Sequence, residues 1–229
     1  MISVIIPALN EEKKIGECLL SLKNQSYQRF EVIVIDGGSE DRTKEISEKY
    51  DAIVIDQRSE TIGGARREGS LHARGNVLAF TDADTIADPN WLRCIARNVQ
   101  RYDLSLGPVY FYENNFRAAL VQFWRRAYAI ERLYGFYRII GPNMAIKKST
   151  YLRIEGHSDI SLLEDYDFSE KIYKKKGIKR IYDKNQTVYT SARRMEKLWP
   201  YLWLYAYGHY HYRVTRDLKK LCKYPPIRT

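Results

Sequence analysis

The chain has 229 residues, 45% of them hydrophobic and 29% charged, which predicts one globular domain with a core built around a sheet. The formal net charge of +10 comes from the C-terminal part, because residues 171–229 contain 16 Lys and Arg against 3 Asp and Glu. Such a basic segment fits a nucleic acid, an acidic lipid surface or a diphosphate substrate, whereas the lack of any apolar run of about 18 residues excludes a membrane-spanning helix within this sequence.

The first half of the chain alternates short β-branched runs with charged stretches that carry apolar residues at helical spacing. This rhythm predicts a parallel sheet covered by helices on both faces. The predicted strands are Ile2–Ile6, Glu31–Ile35, Ala52–Ile55 and Val77–Phe80. The predicted helices are Glu11–Asn24, Arg42–Tyr50, Ile62–Ala73 and Trp91–Gln100.

The second half is less regular and mixes short strands with amphipathic segments. The predicted strands are Leu104–Phe111, Met144–Ile146, Lys179–Tyr182 and Thr187–Tyr189. The predicted helical segments are the amphipathic stretch Phe116–Tyr134, which is rich in Arg and aromatic residues, and Leu163–Lys176.

Polar residues follow three predicted strands directly. The first strand is followed by Pro7-Ala8-Leu9-Asn10-Glu11, the second by Asp36-Gly37-Gly38-Ser39 and the fourth by Thr81-Asp82-Ala83-Asp84. Ligands of open α/β sheets bind beyond the carboxyl ends of the strands, so we expect these three loops to form one site.

The pair Asp82 and Asp84 is a candidate metal site. One residue separates the two carboxylates, so both can face a hard divalent cation such as Mg²⁺ or Mn²⁺. A cation there would bind a diphosphate and neutralise the charge that grows on a departing nucleotide. The alternative is an Asx-rich loop that caps the helix beginning near Pro89.

A second acidic cluster, Glu164-Asp165-Tyr166-Asp167, lies where a helix is predicted to begin. Transfer of a group from a diphosphate to a hydroxyl needs a carboxylate that takes the proton of the hydroxyl, and Asp165 is our candidate for this general base. The alternative is ordinary electrostatic stabilisation of the helix start by carboxylates.

In this order the motifs resemble those of the family 2 glycosyltransferases with the GT-A fold, over roughly residues 1–190. The resemblance implies an α/β fold with a mostly parallel central sheet flanked by helices. It also implies an inverting enzyme that moves a sugar from a nucleotide-diphosphate sugar, UDP- or GDP-linked, to an acceptor hydroxyl. Residues 1–100 would be the nucleotide-binding half, 101–190 the acceptor-binding half and 191–229 a basic, aromatic, helical tail.

The resemblance implies roles for single residues of the first two loops. The segment Val4–Glu12 is similar to the family's first strand and loop, which hold the nucleoside. It assigns donor binding to Pro7, Ala8, Asn10 and Glu11. Asp36 matches the first Asp of the family's Asp-Asp-Gly-Ser loop, which contacts the base, whereas Gly37 stands in place of the second Asp.

The later motifs resemble the family's phosphate, metal and acceptor motifs. Arg66, within Gly64–Gly69, matches the arginine on the diphosphate side, and the alternative is a solvated helix charge. Asp82-Ala83-Asp84 takes the place of the Asp-x-Asp motif, in which Asp82 and Ala83 contact the donor while Asp82 and Asp84 hold the metal. Gly141-Pro142-Asn143 resembles the Gly-x-Asn turn near the donor sugar and acceptor. Glu164-Asp165 completes the set, and its second acid is the family's general base.

The C-terminal segment leaves alternatives open. Arg193 and Arg194 are candidates for a lid over the diphosphate, or else solvated charges. Seven Trp and Tyr residues lie within Trp199–Tyr212. They either pack on the catalytic domain or contact an anionic membrane together with Phe116–Tyr137. Membrane contact would favour a lipid-linked acceptor or a cell-envelope glycan.

The cysteines and the first residues bear on localisation. Cys18, Cys94 and Cys222 are widely spaced without a metal-ligand or redox pairing, which is typical of reduced thiols. The run Ile2–Ile6 follows Met1 without the features of a signal peptide and is interpreted as a strand. We expect a cytoplasmic protein, at the cytoplasmic face of the membrane if the aromatic segment binds lipid.

The loops that are diagnostic of other protein classes do not occur in this sequence. A dinucleotide-dependent oxidoreductase requires Gly-x-Gly-x-x-Gly after the first strand, and a P-loop hydrolase requires Gly-x-x-x-x-Gly-Lys-Ser/Thr. The remaining alternative is a non-catalytic protein that binds a nucleotide sugar or a nucleic acid. Such a protein has no need for Asp82, Asp84 and Asp165 together, and we expect no nucleic acid partner.

Overall fold

The computed structural model describes residues 1–113, 116–125, 127–193, 198–215 and 218–222. These residues form ten strands and nine α-helices. The strands are β1 (Ile2–Ala8), β2 (Phe30–Asp36), β3 (Ile53–Asp56), β4 (Val77–Phe80), β5 (Thr85–Ala87), β6 (Leu104–Leu106), β7 (Val109–Phe111), β8 (Met144–Lys147), β9 (Arg180–Tyr182) and β10 (Val188–Thr190). The helices are α1 (Ile15–Lys23), α2 (Thr43–Lys49), α3 (Ile62–His72), α4 (Trp91–Asn98), α5 (Phe116–Arg125), α6 (Tyr128–Leu133), α7 (Lys148–Arg153), α8 (Glu164–Lys174) and α9 (Leu198–Tyr210).

The main sheet has seven strands in the order β3-β2-β1-β4-β8-β6-β9. Strands β3, β2, β1 and β4 are parallel, β8 is antiparallel to both β4 and β6, and β9 is parallel to β6. The parallel half ends in the three loops predicted to form the site. The carboxyl ends of β1, β2 and β4 therefore bring those loops to one edge of the sheet.

Strand β1 is buried from Ile2 to Ile6 because helices cover both of its faces. Val4 and Ile6 belong to one core cluster with residues of α1 and α4. Ile5 belongs to a second core cluster with residues of α3 and α8. Alternate side chains of one strand thus enter opposite cores, as the predicted layer arrangement requires.

The prediction of one strand over Leu104–Phe111 is wrong. The chain turns at Gly107-Pro108, and the strands on the two sides of this turn belong to different sheets. Strand β6 stays in the main sheet, whereas β7 joins β5 and β10 in a three-stranded sheet. A Cβ atom at position 107 would lie 1.8 Å from the carbonyl oxygen of Gln186, so glycine is required there. The small sheet includes β5, which directly follows Asp84 and was not predicted.

The helices of the second half differ from the prediction in two ways. The stretch Phe116–Tyr134 contains two helices, because α5 ends at Arg125 and α6 begins at Tyr128. Helix α7, which follows β8 directly, was not predicted. It contributes Tyr151, which is buried against Phe80 and Phe168 beneath the sheet.

One face of α9 packs on the rest of the chain. Leu204, Tyr205 and Tyr207 contact a buried cluster that includes Leu162 and Leu163. An added Cβ atom at Gly208 would lie 2.7 Å from Cδ2 of Leu162, so the helix approaches that cluster closely.

Other parts of the aromatic segment remain accessible, and the cysteines are unlinked. Trp203 is 66% exposed, so packing accounts for only one side of α9. Nothing in the described part of the chain is a helix both long and apolar enough to cross a bilayer. No disulfide joins Cys18, Cys94 and Cys222 to one another.

Candidate active site

The loops after β1 and β2 are held together by hydrogen bonds between them. The amide of Gly37 donates to the carbonyl oxygen of Ala8 at 2.8 Å, and the amide of Asn10 donates to Oγ of Ser39 at 2.9 Å. Asn10 adopts a left-handed backbone conformation, with φ of 53°, which asparagine tolerates better than most residues. The sequence-predicted loops therefore form one wall, with Pro7 in β1 beside Ile35 of β2.

Asp36 presents one unsatisfied oxygen within this wall. Its Oδ2 accepts hydrogen bonds from the amides of Gly38 and Ser39 at 3.0 and 2.9 Å. Its Oδ1 is buried and has no hydrogen-bond partner among the described residues. An unsatisfied buried acceptor costs about 1–3 kcal/mol, so a ligand N–H group, as in the ring of a nucleobase, would stabilise this arrangement.

Arg66 lies beneath the loops and joins three carboxylates. Its Nη2 lies 3.0 Å from Oδ1 of Asp82, and its Nη1 lies 2.9 Å from Oε1 of Glu164 and 3.0 Å from Oδ1 of Asp165. The side chain is only 1% exposed, so the alternative of a solvated helix charge is wrong. A buried guanidinium of this kind requires carboxylate partners, and the sequence supplies them from two distant segments.

The charges in this cluster do not balance. Burial opposes the positive charge of Arg66, but Asp165, Asp82 and Glu164 outweigh it and hold the pKa of the guanidinium above its ordinary value. Burial and the neighbouring carboxylate of Asp165 raise the pKa of Glu164 to about 7, although Arg66 opposes this shift. Glu164 therefore carries a proton on part of the molecules near neutral pH.

Asp165 is held from two sides and remains accessible on a third. Its Oδ1 faces Arg66, and its Oδ2 accepts a hydrogen bond from the amide of Gly141 at 2.7 Å. The side chain is 25% exposed and lies in the first turn of α8, where the helix N-terminus favours a negative charge. A carboxylate with a fixed orientation and an accessible face is suited to accept a proton.

Asp84 lies beside a guanidinium that comes from the C-terminal part of the chain. Its Oδ1 accepts a hydrogen bond from Oγ1 of Thr190 at 3.2 Å, and its Oδ2 lies 3.3 Å from Nη2 of Arg193. The same guanidinium also bonds to Glu11. The lid candidate Arg193 thus reaches the loops after β1 and β4, whereas Arg194 lies outside the described residues. These two loops and the loop after β2 are predicted to bind the donor and are called the donor loops below.

The carboxylate oxygens of Asp82 and Asp84 are suited to bind a divalent cation. The described residues contain no group of three or more His, Cys, Asp and Glu side chains that could hold a metal. Asp82 and Asp84 offer hard carboxylate ligands, and a diphosphate and water would complete the coordination that Mg²⁺ and Mn²⁺ prefer. The guanidinium of Arg193 supplies the positive charge between Glu11 and Asp84. Oε2 of Glu11 is buried without a hydrogen-bond partner in the described part of the chain.

Comparison with known proteins decides the family. The sequence model of glycosyl transferase family 2 matches residues 3–154. The chain belongs to glycosyl transferase family 2. It is 36% identical to glycosyltransferase AglE of Haloferax volcanii over 99 residues, 40% of this chain and 33% of AglE. It is 32% identical to glycosyltransferase GlyG of Streptococcus pneumoniae over 130 residues, 49% of this chain and 43% of GlyG. The matched regions span less than half the length of these curated relatives.

Solved structures show the same fold. TarS of S. aureus in complex with UDP-GlcNAc is 20% identical, with a TM-score of 0.66 over 86% of this chain and 60% of TarS. The mannosyltransferase PcManGT of Pyrobaculum calidifontis in complex with GDP-Man and Mn²⁺ is 19% identical, with a TM-score of 0.70 over 98% of this chain and 66% of PcManGT. The predicted GT-A fold is thereby confirmed.

At Gly37, where the resembled loop has its second aspartate, an added side chain would lie close to two neighbouring side chains. A Cβ atom at this position would lie 3.2 Å from Oε1 of Gln57 and 3.4 Å from Cβ of Leu9. The backbone of Gly37 is close to β1 because its amide bonds to Ala8. A larger side chain would need Gln57 to move.

Two residues assigned to the site lie deeper than the resemblance implies. Asn143 is 1% exposed, and its amide group bonds to Nε1 of Trp91 and to the carbonyl oxygens of Pro108 and Gln186. Its side chain therefore holds the Gly141–Asn143 turn in place. Ala83 packs its methyl group into the core, so its contact with a donor would come from the backbone.

Sequence analysis did not find three residues that complete the site. Thr190 reaches Asp84 because β10 pairs antiparallel with β5. Trp91 and Gln186 meet at Asn143, and their position in the sequence gives no indication of this contact. The signal that the sequence offered for Thr190 is a polar residue directly after the predicted strand Thr187–Tyr189.

Proposed function

We propose that this chain is an inverting glycosyltransferase that moves a sugar from a UDP- or GDP-linked donor to an acceptor hydroxyl. The observation that carries the proposal is the buried Arg66, which binds Asp82 of the donor loop and Asp165 of the acceptor side with one guanidinium. That ion pair network aligns the carboxylate that would face the donor phosphates with the carboxylate that would face the acceptor. Related folds with UDP-GlcNAc in TarS and with GDP-Man in PcManGT support this class of donor.

In the proposed reaction Asp165 takes the proton of the acceptor hydroxyl. The hydroxyl oxygen forms a bond to the anomeric carbon, while the bond from that carbon to the diphosphate oxygen breaks on the opposite face. Asp36 would bind the base through its unsatisfied Oδ1, and the backbone of Pro7, Ala8 and Asn10 would line the nucleoside. The products are a nucleoside diphosphate and an inverted glycoside.

Asp82 and Asp84 would hold Mg²⁺ or Mn²⁺ in this scheme. When bound, such a cation would neutralise charge on the departing diphosphate. The presence of Mn²⁺ with GDP-Man in PcManGT supports a divalent metal. Arg193 would release Glu11 and Asp84 on metal binding and fold over the phosphates, together with Arg194.

The side chains Glu164 and Asn143 would have positioning roles. Because its pKa is raised, Glu164 would be partly neutral near pH 7. It would then compete less for Arg66, which would remain paired with Asp82 and Asp165. Asn143 would hold Gly141 against Asp165 through its buried hydrogen bonds. Both effects act on the orientation of the proposed base.

A peripheral membrane contact is part of the proposal. Helix α5 exposes Phe116 by 82% and Phe123 by 67%, and α6 exposes Leu133 by 83%. Such side chains next to basic residues are suited to the headgroup region of an anionic bilayer. The acceptor would then be a lipid-linked or cell-envelope glycan, reached at the cytoplasmic face.

The test combines nucleotide binding with turnover. Release of nucleoside diphosphate from a panel of UDP- and GDP-sugars, measured with Mn²⁺ and a mixture of glycan acceptors, should occur with the wild type and stop in Asp165→Asn. Stabilisation by a nucleotide without any release would favour a non-catalytic nucleotide-sugar binding protein instead.

A further inference from the structure

A cavity of about 490 Å³ lies on the acceptor side of the molecule, apart from the donor loops. It is bounded by the turn between β6 and β7, by the helices α5 and α6 and by Tyr182 of β9. Ile140 and Asn143 form part of its wall, and they flank Gly141, whose amide bonds to Asp165. One turn therefore separates this cavity from the proposed base.

The cavity wall is strongly basic. Its cationic side chains are Arg125, Arg132, Arg138 and Lys184, and no Asp or Glu belongs to the described residues that line it. Glu131, which does not line the cavity, forms an ion pair with Arg138, with 2.6 Å between Oε1 of Glu131 and Nη2 of Arg138. Even with that carboxylate included, positive charges outnumber negative ones by three. Like charges around a cavity of low dielectric repel each other unless an anion enters.

Arg132 is positioned to bind such an anion. Cζ of its guanidinium lies over the ring of Tyr182, 4.0 Å from the ring centroid. The guanidinium of Arg132 forms no ion pair or hydrogen bond with any described residue, so its five N–H donors are available to a ligand or to water. An arginine stacked on an aromatic ring loses little entropy on binding an oxyanion and can donate two parallel hydrogen bonds.

The neighbouring side chains support one class of ligand. Arg125 is held by a hydrogen bond of 3.3 Å to the carbonyl oxygen of Val109 and lies 4.6 Å from the ring centroid of Phe111. Oε1 of Gln122 is buried at the cavity without a hydrogen-bond partner among the described residues, so it can accept from a ligand hydroxyl. Several guanidinium groups with one acceptor fit a phosphoryl group attached to a hydroxylated molecule.

We propose that this cavity binds a phosphoryl group of the acceptor, so that a hydroxyl of the same molecule reaches Asp165 past the Gly141–Asn143 turn. The inference rests on the proposed glycosyl transfer and names its acceptor as a phosphorylated molecule. The donor diphosphate is not the ligand, because none of the donor-loop residues Glu11, Asp36, Asp82 or Asp84 lines the cavity. The volume of about 490 Å³ is sufficient for a phosphoryl group with its attached carbon skeleton.

Calorimetric titration with glycerol 3-phosphate, glycerol and glycerate tests the site. The wild type should bind glycerol 3-phosphate and neither of the others at the same concentration. Arg132→Gln should weaken this binding by about tenfold or more, because a charge-assisted contact is lost, and Lys184→Gln should weaken it less. Arg101→Gln, which changes an exposed arginine away from the cavity, is the matched control and should bind as the wild type does.

A second measurement separates this inference from the proposed function. Thermal stabilisation by UDP or GDP with Mn²⁺ should be the same in Arg132→Gln and in the wild type, which also shows that the variant is folded. Two results would overturn the phosphoryl site and leave the glycosyl transfer proposal standing, provided that the nucleotide stabilises the protein. One is that the wild type does not bind glycerol 3-phosphate, and the other is that Arg132→Gln and Arg101→Gln bind it equally well. Failure of every nucleotide to stabilise the wild type would instead overturn the proposed function.

The source of the phosphoryl group follows from a competition experiment. Vesicles that contain phosphatidic acid displace bound glycerol 3-phosphate if the acceptor is a lipid phosphate, whereas vesicles of neutral phospholipid composition do not. Retention of glycerol 3-phosphate in the presence of both vesicles identifies a soluble phosphorylated acceptor. Both results support the phosphoryl site, and equal or tighter binding of glycerate than of glycerol 3-phosphate contradicts it.

Discussion

Gly141 lies directly against Arg66, since a Cβ atom at position 141 would lie 2.2 Å from Nη2 of that arginine. The same atom would lie 3.0 Å from Oδ2 of Asp165. The glycine thus allows one turn to approach both the central guanidinium and the proposed base. Any side chain at this position must displace the group that orients Asp165.

Replacement of Gly141 by alanine should reduce transfer strongly, because the added Cβ atom would displace Nη2 of Arg66, which bonds to Asp82, and would crowd the carboxylate of Asp165. A displacement of the base by about 1 Å can lower the rate by roughly 100-fold. The rate of nucleoside diphosphate release and the thermal stabilisation by the nucleotide are the two measurements. Gly16→Ala is the control, because its added Cβ would meet Ile46 at an ordinary 3.7 Å. Equal activity of the two variants would contradict the role of the close contact.

Replacement of Arg66 by glutamine should destabilise the fold, because it leaves three carboxylates without their shared cation. Breaking a buried ion pair costs about 3–5 kcal/mol in the free energy of unfolding. The loss should be smaller at pH 5 than at pH 8, because protonation of Glu164, whose pKa is raised, relieves part of the repulsion. Urea unfolding at both pH values, with Arg101→Gln as the control, measures this difference. A loss that is the same at both pH values would argue against the charge cluster as its cause.

Glu164 should make the stability of the protein depend on pH. Its pKa is raised from 4.5 to about 7 in the folded chain, so the folded state binds a proton more readily than the unfolded state. Its contribution to stability is fully present below pH 4.5 and is lost as the pH rises towards 7. Glu164→Gln should remove this part of the slope when the free energy of unfolding is measured between pH 5 and pH 8. An unchanged slope would assign the pH dependence to other groups.

Asp84→Asn should abolish the metal-dependent part of nucleotide binding. The wild type should be stabilised more by UDP or GDP with Mn²⁺ than by the nucleotide alone, because Asp84 and the diphosphate would both be ligands of the cation in the proposed site. Asp51→Asn is the control, since Asp51 is exposed and its left-handed backbone suits asparagine equally well. Thermal unfolding with and without a chelator measures the effect. Metal-dependent stabilisation that persists in Asp84→Asn would remove this residue from the metal site.

Removal of the exposed aromatic side chains of α5 should weaken binding to anionic membranes. The double variant Phe116→Ser, Phe123→Ser loses two large apolar groups that are mostly exposed, and we expect it to remain in solution when anionic liposomes are sedimented. Leu71→Ser removes an apolar group that is 63% exposed on α3 and serves as the control. Equal sedimentation of both variants and the wild type would place the membrane contact elsewhere or exclude it.

Local sequence pattern was sufficient for the parallel half of the sheet and for the position of the loops that follow β1, β2 and β4. The apolar runs before Pro7, Asp36 and Thr81 predict strands of a parallel sheet, because buried parallel strands have two apolar faces. The polar residues that follow each run must then meet at one edge, as they do. These properties depend on short stretches of the chain and on the general geometry of α/β sheets.

Contacts between distant segments depend on packing that no local pattern records. Arg66 meets Glu164 and Asp165, 98 and 99 positions further along the chain, and its burial follows from the way α3 and α8 pack under the sheet. The division of Leu104–Phe111 likewise depends on the carbonyl oxygen of Gln186. Strand and helix propensities act over a few residues, whereas such contacts require the whole core to form, and the charge balance and accessibility of Asp165 are set at that stage.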